Sequence, residues 1–303
     1  MTTSEQQVLD DMPVRLYSAA PSRLTSYLDC PRRYRMTYLE RPAPAKGPPW
    51  GHNSVGASVH SALAGWWKLP FEERTPAAGG ALAVSGWLGD GFRDDAQSHA
   101  AREQARGQVE RYLADVDPAV EPIGVERVVS TKTGRASLWG RVDRIDDRPG
   151  EGIVVVDYKT GRSVLTVDDA RTSLALAVYA AAAARTFHRQ CLRVELHHLP
   201  TGEVVAWDHT EESLARHVRR ADSLAADLAA VDARFRQGMT AQEADEAFPA
   251  QVGPLCGWCD FNRVCETGRA AVPPREPWAA VAVSSPGLGT ATSATGASSG
   301  PVS

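Results

Sequence analysis

Asp157 and Lys159 stand two apart at the end of an apolar run, in the segment GRVDRIDDRPGEGIVVVDYKTGR. On a strand, the period of two puts both side chains on one face and turns Tyr158 to the other. Asp143 lies on the strand before, and the short connection makes the two strands neighbours. Two carboxylates beside one lysine suit metal-assisted hydrolysis of a phosphodiester. Mg²⁺ takes oxygen ligands and keeps several waters. A bound cation polarises the phosphate and acidifies an attacking water, while a lysine orients that water and offsets charge on the phosphate. His60 offers a further ligand, and its imidazole makes Mn²⁺ a good substitute. Taken alone, Asp157 and Lys159 suit a solvated ion pair equally well, and His60 suits an ordinary hydrogen-bonded helix residue. Their combination is what points to chemistry.

Cysteines form a second constellation. Cys256, Cys259 and Cys265 follow the spacing C-x₂-C-x₅-C, and Cys30 stands alone near the other end. The fifth, Cys191, sits at a strand start and reads as a core thiol. An odd number in a reducing compartment argues against a disulfide framework. Three clustered thiols can converge on one centre, with Cys30 completing four-fold ligation and drawing the chain ends together. Zinc and a [4Fe–4S] cluster both accept four thiolates. Structural zinc sites more often pair two C-x-x-C knuckles, whereas here one ligand is isolated.

The elements that must position these groups are mixed. SRLTSYLDC predicts a short helix capped by Ser22, and Pro31 opens a second, PRRYRMTYLE. A helix is expected from Ser54 to Lys68, and a longer one over much of Ala81 to Val116. VERVVSTKTGRASLWGRVDRID predicts two strands turning at Thr133–Gly134, and GIVVVDYKT a buried central strand. SLALAVYAAAAARTF is strongly helical, CLRVELHHLPTGEVVAWDH reads as a hairpin turning at Thr201–Gly202, and a last helix runs from about Glu211 to Arg236. The sum is an α/β core with a helical N-terminal subdomain. Residues 1–13 read as a mobile leader, 14–270 as one domain closed by the cysteines, and 271–303, rich in Pro, Gly, Ser, Thr and Ala, as a disordered tail.

Composition bounds the setting. The chain of 303 residues has 43% hydrophobic residues, enough for a substantial core, and no apolar run suited to a membrane span. Its polar, acidic start argues against a secretory signal, which favours the cytoplasm. The net charge of -4 does not suggest a polyanion binder, but local patches decide binding. Arg32, Arg33, Arg35 and Arg41 form one basic stretch and Arg216, Arg219 and Arg220 another. Each suits either a solvated helix face or phosphate contacts, as Tyr34 and Trp66 suit either core packing or base stacking. No Walker A motif is present, so the chain has no helicase motor of its own.

GRVDRID followed by VVVDYKTG resembles motifs II and III of the PD-(D/E)XK nuclease superfamily in its RecB-like branch, and SVGASVHSALA resembles that branch's upstream histidine motif. TSLALAVYAAA resembles the following Gln-x-x-x-Tyr motif, with Tyr179 at the tyrosine and Ala175 where glutamine is expected. The lone-plus-three cysteines, Cys30-Pro31 and CGWCDFNRVC, are similar to the iron–sulfur nucleases of the AddB and CRISPR adaptation types. The resemblance covers residues 20 to 268 and implies a restriction-endonuclease-like core, a mixed sheet flanked by helices, with a C-terminal iron–sulfur segment. It implies that His60, Asp143, Asp157 and the Tyr158 carbonyl bind Mg²⁺ or Mn²⁺, that Lys159 is catalytic, and that Tyr179 and Glu126 support them. It further implies a [4Fe–4S] cluster on Cys30, Cys256, Cys259 and Cys265. The expected function is a DNA exonuclease on single strands or ends, in repair or recombination beside a helicase or other repair protein. The alternative is a non-catalytic DNA-binding scaffold, for which the missing glutamine is the support. A third reading is a zinc-stabilised protein without nuclease activity.

Overall fold

The computed structural model describes residues 16–281. The expected leader and most of the expected tail lie outside that range. Six strands form one mixed sheet. They are β1 (Tyr17–Ala19), β2 (Gly124–Lys132), β3 (Ala136–Arg148), β4 (Gly152–Lys159), β5 (Arg193–His198) and β6 (Glu203–Asp208). The β2–β3 turn falls at Thr133–Gly134, and the β5–β6 turn at Thr201–Gly202, as predicted.

The long strand β3 organises the sheet. Along one edge it pairs antiparallel with β2 from Lys132–Ser137 to Gly124–Ile145. Its other edge is shared. β1 pairs parallel at residues 136–138, and β4 pairs antiparallel at residues 144–148. Residues 139–143 lie between these two partners. β4 then continues in parallel with β5 as far as Lys159–His198. Because β4 runs up the middle with covered faces, IVVV is apolar throughout and fully buried.

Helices cover both faces. Ile153 and Val155 pack with α7 (Leu174–Phe187), while Val154, Val156 and Tyr158 pack with α3 (Gly51–Trp66) and α5 (Asp95–Ala114). Between those helices runs α4 (Pro76–Ser85), and α6 (Val167–Arg171) precedes α7. The alanine-rich face of α7 brings it close to the sheet, and Ser173 caps it by accepting the Leu176 N–H. A third cluster joins β1, α1 (Pro21–Asp29), α2 (Pro31–Tyr38), α8 (Glu211–Gln237) and α9 (Ala241–Ala247). The chain returns to α2 through α10 (Glu266–Ala271) and the cysteine-bearing turns before it.

Three sequence expectations change. The helix α1 starts at Pro21 with Ala20 as its cap, not Ser22, because proline at the first helical position is already set to helical φ. The helix expected over Ala81–Val116 is two, α4 and α5. The chain breaks at Gly86, and Asp94 starts α5 by accepting the Gln97 N–H at 2.7 Å. Gly91 in this break adopts φ +82 against the backbone of Pro49–Gly51, where a side chain has no room. Residues 273–281 were expected in the tail, but they pack on the domain. Arg275 N–H donates to the Gly257 carbonyl at 2.9 Å, and Gly51 N–H to that of Pro277 at 3.1 Å.

Candidate active site and metal centre

Asp143 occupies the place where β3 and β4 part. Their ladder ends at Arg144–Val156, so the next N–H of β4 has no strand partner. Asp143 Oδ2 accepts it, from Tyr158, at 2.8 Å. Its other oxygen, Oδ1, lies 3.3 Å from His60 Nδ1. His60 comes from the middle of α3, its ring edge-on to that of Tyr158 with centroids 5.8 Å apart. Across β3, Glu126 of β2 stands opposite Asp143 between the pairs Val125–Arg144 and Arg127–Val142. Its φ of +48 is rare for a residue with a side chain. Strain of this kind costs ~1–3 kcal/mol and collects at functional sites. Glu126 also forms an ion pair with Arg141 at 2.9 Å.

His60, Glu126 and Asp143 each present a ligand atom within 4.8 Å of the others'. Two carboxylates and an imidazole are a donor set for a hard or borderline divalent cation. The expected set also named Asp157 and the Tyr158 carbonyl and gave Glu126 a supporting role. Asp157 shares the strand parity of Ile153 and Val155, and its Oδ2 pairs with Lys159 Nζ at 2.6 Å. The pair therefore stands on the α7 side of the sheet, while His60 reaches Asp143 from α3.

Charge is crowded here. Burial raises the Asp157 pKa, and Asp143 raises it further against the pull of Lys159. Glu126 is raised by burial and then by Asp143. For His60, burial opposes protonation, but the contact with Asp143 and the fields of Asp157 and Glu126 outweigh it and raise the pKa. A site where several anions repel one another is one that a cation stabilises.

Tyr179, on α7, packs its ring against Gly140 of β3 so closely that any side chain at 140 would overlap it. Burial, then the charges of Asp157 and Asp143, pushes its hydroxyl up to about 12. It stays a neutral donor beside the carboxylates. Ala175 lies one helical turn earlier and offers only a methyl group where glutamine was expected.

The four outlying cysteines come together. Cys30, Cys256, Cys259 and Cys265 line one small, mostly apolar cavity with Met36 and Phe261. Cys30 caps α2, its sulfur accepting Arg33 N–H at 3.5 Å. Cys265 caps α10, accepting Gly268 N–H at 3.4 Å. Gly268 has no Cβ, and one placed there would lie 3.3 Å from Cys265 Sγ and 3.6 Å from Cys256 Sγ. Cys191 is buried in the sheet core, as expected, and burial pushes its thiol up to about 12.

The basic and aromatic candidates of α2 and α3 do not reach the site. Tyr34 is fully buried and donates to Asp232, and Trp66 is buried with its indole N–H on the Thr75 carbonyl. Arg32 and Arg35 pair with Asp245, and Arg33 with Asp29. Their charge is spent on neighbouring helices. What sequence reasoning underrated is Glu126, whose strand position was legible but whose register opposite Asp143 was not.

No curated protein matches the chain. Among solved structures, a candidate exonuclease from Eubacterium rectale is 14% identical, with a TM-score of 0.42, over 74% of this chain and 83% of that one. A protein named SSO0001 is 13% identical, with a TM-score of 0.38, over 87% of this chain and 92% of that one. The family profile of the PD-(D/E)XK nuclease superfamily matches residues 18–266, a span that holds the sheet, the His60–Glu126–Asp143 group and the Asp157–Lys159 pair. The chain therefore belongs to the PD-(D/E)XK nuclease superfamily.

Proposed function

We propose that the protein is a RecB-like exonuclease that hydrolyses phosphodiester bonds of single-stranded DNA, or of DNA ends, with Mg²⁺ or Mn²⁺. The setting is cytoplasmic DNA repair or recombination, with unwinding supplied by a helicase or other repair protein. The observation that carries this reading is the His60–Glu126–Asp143 ligand group where β3 and β4 part, close to the end of β4 that bears Asp157 and Lys159. A divalent cation held there would stabilise charge on the scissile phosphate and make water a stronger nucleophile at neutral pH. Asp143 braces the site through the Tyr158 N–H. Asp157 holds the Lys159 ammonium, which is half exposed and free to meet a phosphate oxygen or orient a water. Tyr179 adds a neutral hydroxyl on the same side of the sheet.

The cysteine cavity is the proposed seat of a [4Fe–4S] cluster. The donor set fits, with four thiols around one apolar cavity and two of the sulfurs accepting backbone N–H groups at helix starts, where thiolates are favoured. Among the described residues, the ligand group packed within 4.8 Å includes no cysteine. When bound, the cluster would supply a covalent tie between α2 and the C-terminal segment.

The test is cleavage of end-labelled single-stranded DNA with Mg²⁺ or Mn²⁺, using anaerobically purified wild type beside Lys159→Ala. Cutting by wild type alone supports the reading, and ladders from each labelled end give the polarity. A folded, cluster-loaded wild type that cuts nothing with either metal overturns it and leaves the scaffold reading.

A further inference from the structure

We propose that the groove between the first half of α3, α5 and the turn after β4 seats an unpaired DNA strand beside the metal site, with one base against Trp258 and His52. This rests on the nuclease reading above and adds a substrate subsite to it. The groove is a cavity of about 760 Å³, within the ~300–1,000 Å³ range of ligand sites.

The groove begins where the site ends. Thr160, in its wall, directly follows Lys159. Gly56, also in its wall, lies one helical turn before His60, and His52 one turn before that. Residues four apart share a helix face, so His52, Gly56 and His60 form one stripe leading from the groove to the ligand group. Glycine at 56 keeps the passage open. A Cβ there would stand 3.3 Å from Thr160 Oγ1, and a longer side chain would fill the space between helix and turn. The turn is tied to β5. Buried His198 donates from Nε2 to the Gly161 carbonyl at 2.7 Å, while its Nδ1 meets the Thr201 hydroxyl at 2.8 Å.

The lining fits a polyanion with bases. It carries Arg162 and no Asp or Glu. At one end stand Trp258 and His52, ring centroids 5.8 Å apart and edge-on. Trp258 lies between Cys256 and Cys259, and Arg275 places its guanidinium carbon 4.9 Å from the Trp258 ring centroid. The cysteine segment thus delivers an aromatic wall to the groove and joins the substrate path through it. Aromatic walls bind single strands with little sequence preference, because every base has a π-face.

The test uses the cluster-loaded full chain carrying Lys159→Ala, so that DNA is bound and not cut. Dissociation constants are measured for oligo(dT) and for an abasic strand of equal length. The parent is expected to favour oligo(dT). Trp258→Ala should weaken oligo(dT) about tenfold, from the loss of one stacked base, and bring it to the level of the abasic strand, while Trp258→Phe keeps most of the preference. Should Trp258→Ala disturb the cysteine segment, His52→Ala and Gly56→Leu decide, each expected to weaken oligo(dT). Equal binding of oligo(dT) by parent, His52→Ala and Gly56→Leu overturns the groove, as does an equal loss for dT and abasic strands in Trp258→Ala. Those results stand apart from cleavage by wild type, which tests the nuclease reading alone.

Discussion

Asp143 and Tyr158 are joined by a hydrogen bond from main chain to carboxylate, 2.8 Å long, at the point where the strands that carry them stop pairing. The bond substitutes for the next rung of the ladder. It also anchors the carboxylate, whose second oxygen lies 3.3 Å from His60 Nδ1. A ligand held by the backbone is set by the fold and not by its own rotamer, which is the preorganisation a reactive site needs. Asp143→Asn keeps an acceptor for the Tyr158 N–H but removes the charge. We expect a folded protein with unchanged thermal stability and DNA cleavage lowered at least ~100-fold, read from initial rates in Mn²⁺. Cleavage within a few-fold of wild type would remove Asp143 from the reaction.

Glu126→Gln tests whether Glu126 binds the metal or only supports the site. Loss of one carboxylate should weaken Mn²⁺ binding ~10–100-fold, measured directly by titration calorimetry without DNA. The strained φ of +48 remains in that variant. Glu126→Gly relieves it, so at equal metal affinity the glycine variant should be the more stable of the two.

Gly140→Ala tests the contact with Tyr179. The new methyl would overlap the Tyr179 ring, and forced overpacking costs ~1–3 kcal/mol. A lower denaturation midpoint is expected, and Gly140→Ala should cost much less stability when made in a Tyr179→Ala background. An additive double mutant would show that the two residues do not press on each other.

Cys259→Ala should remove visible absorption from the anaerobically purified protein and lower its stability, since metal binding and folding are coupled. A stable Cys259→Ala protein with the wild-type spectrum would refute the cluster assignment.

His209 sets a pH dependence. It is buried, with Nδ1 2.9 Å from the Ser213 hydroxyl and Nε2 without a partner. Burial, with a smaller push from His217, lowers its pKa to about 4. The unfolded imidazole takes up its proton near pH 6.5, so the folded state is favoured fully above that value. Its advantage falls as pH drops from about 6.5 to about 4, by on the order of 2–3 kcal/mol. Urea unfolding at pH 7 and pH 4.5 should show that loss in wild type and a smaller one in His209→Gln.

The order of elements, the hairpin turns and the parity of Asp157, Tyr158 and Lys159 were legible in the sequence, because each depends on neighbours within a few residues. Period two along GIVVVDYK and the Thr-Gly turns are local facts. So were the separate identities of His60, Asp143 and the four outlying cysteines. The tertiary structure decided what meets what. It placed Glu126 opposite Asp143 through the β2–β3 register, paired Asp157 with Lys159, and buried Tyr34 and Trp66 among neighbours far away in sequence. It also spent the arginines of α2 on acids of α1 and α9, and laid residues 273–281 against the start of α3. The physical reason is the same in each case. Periodicity tells which way a side chain points, but ion pairing, ladder ends and close packing depend on groups that meet only when the chain has closed on itself.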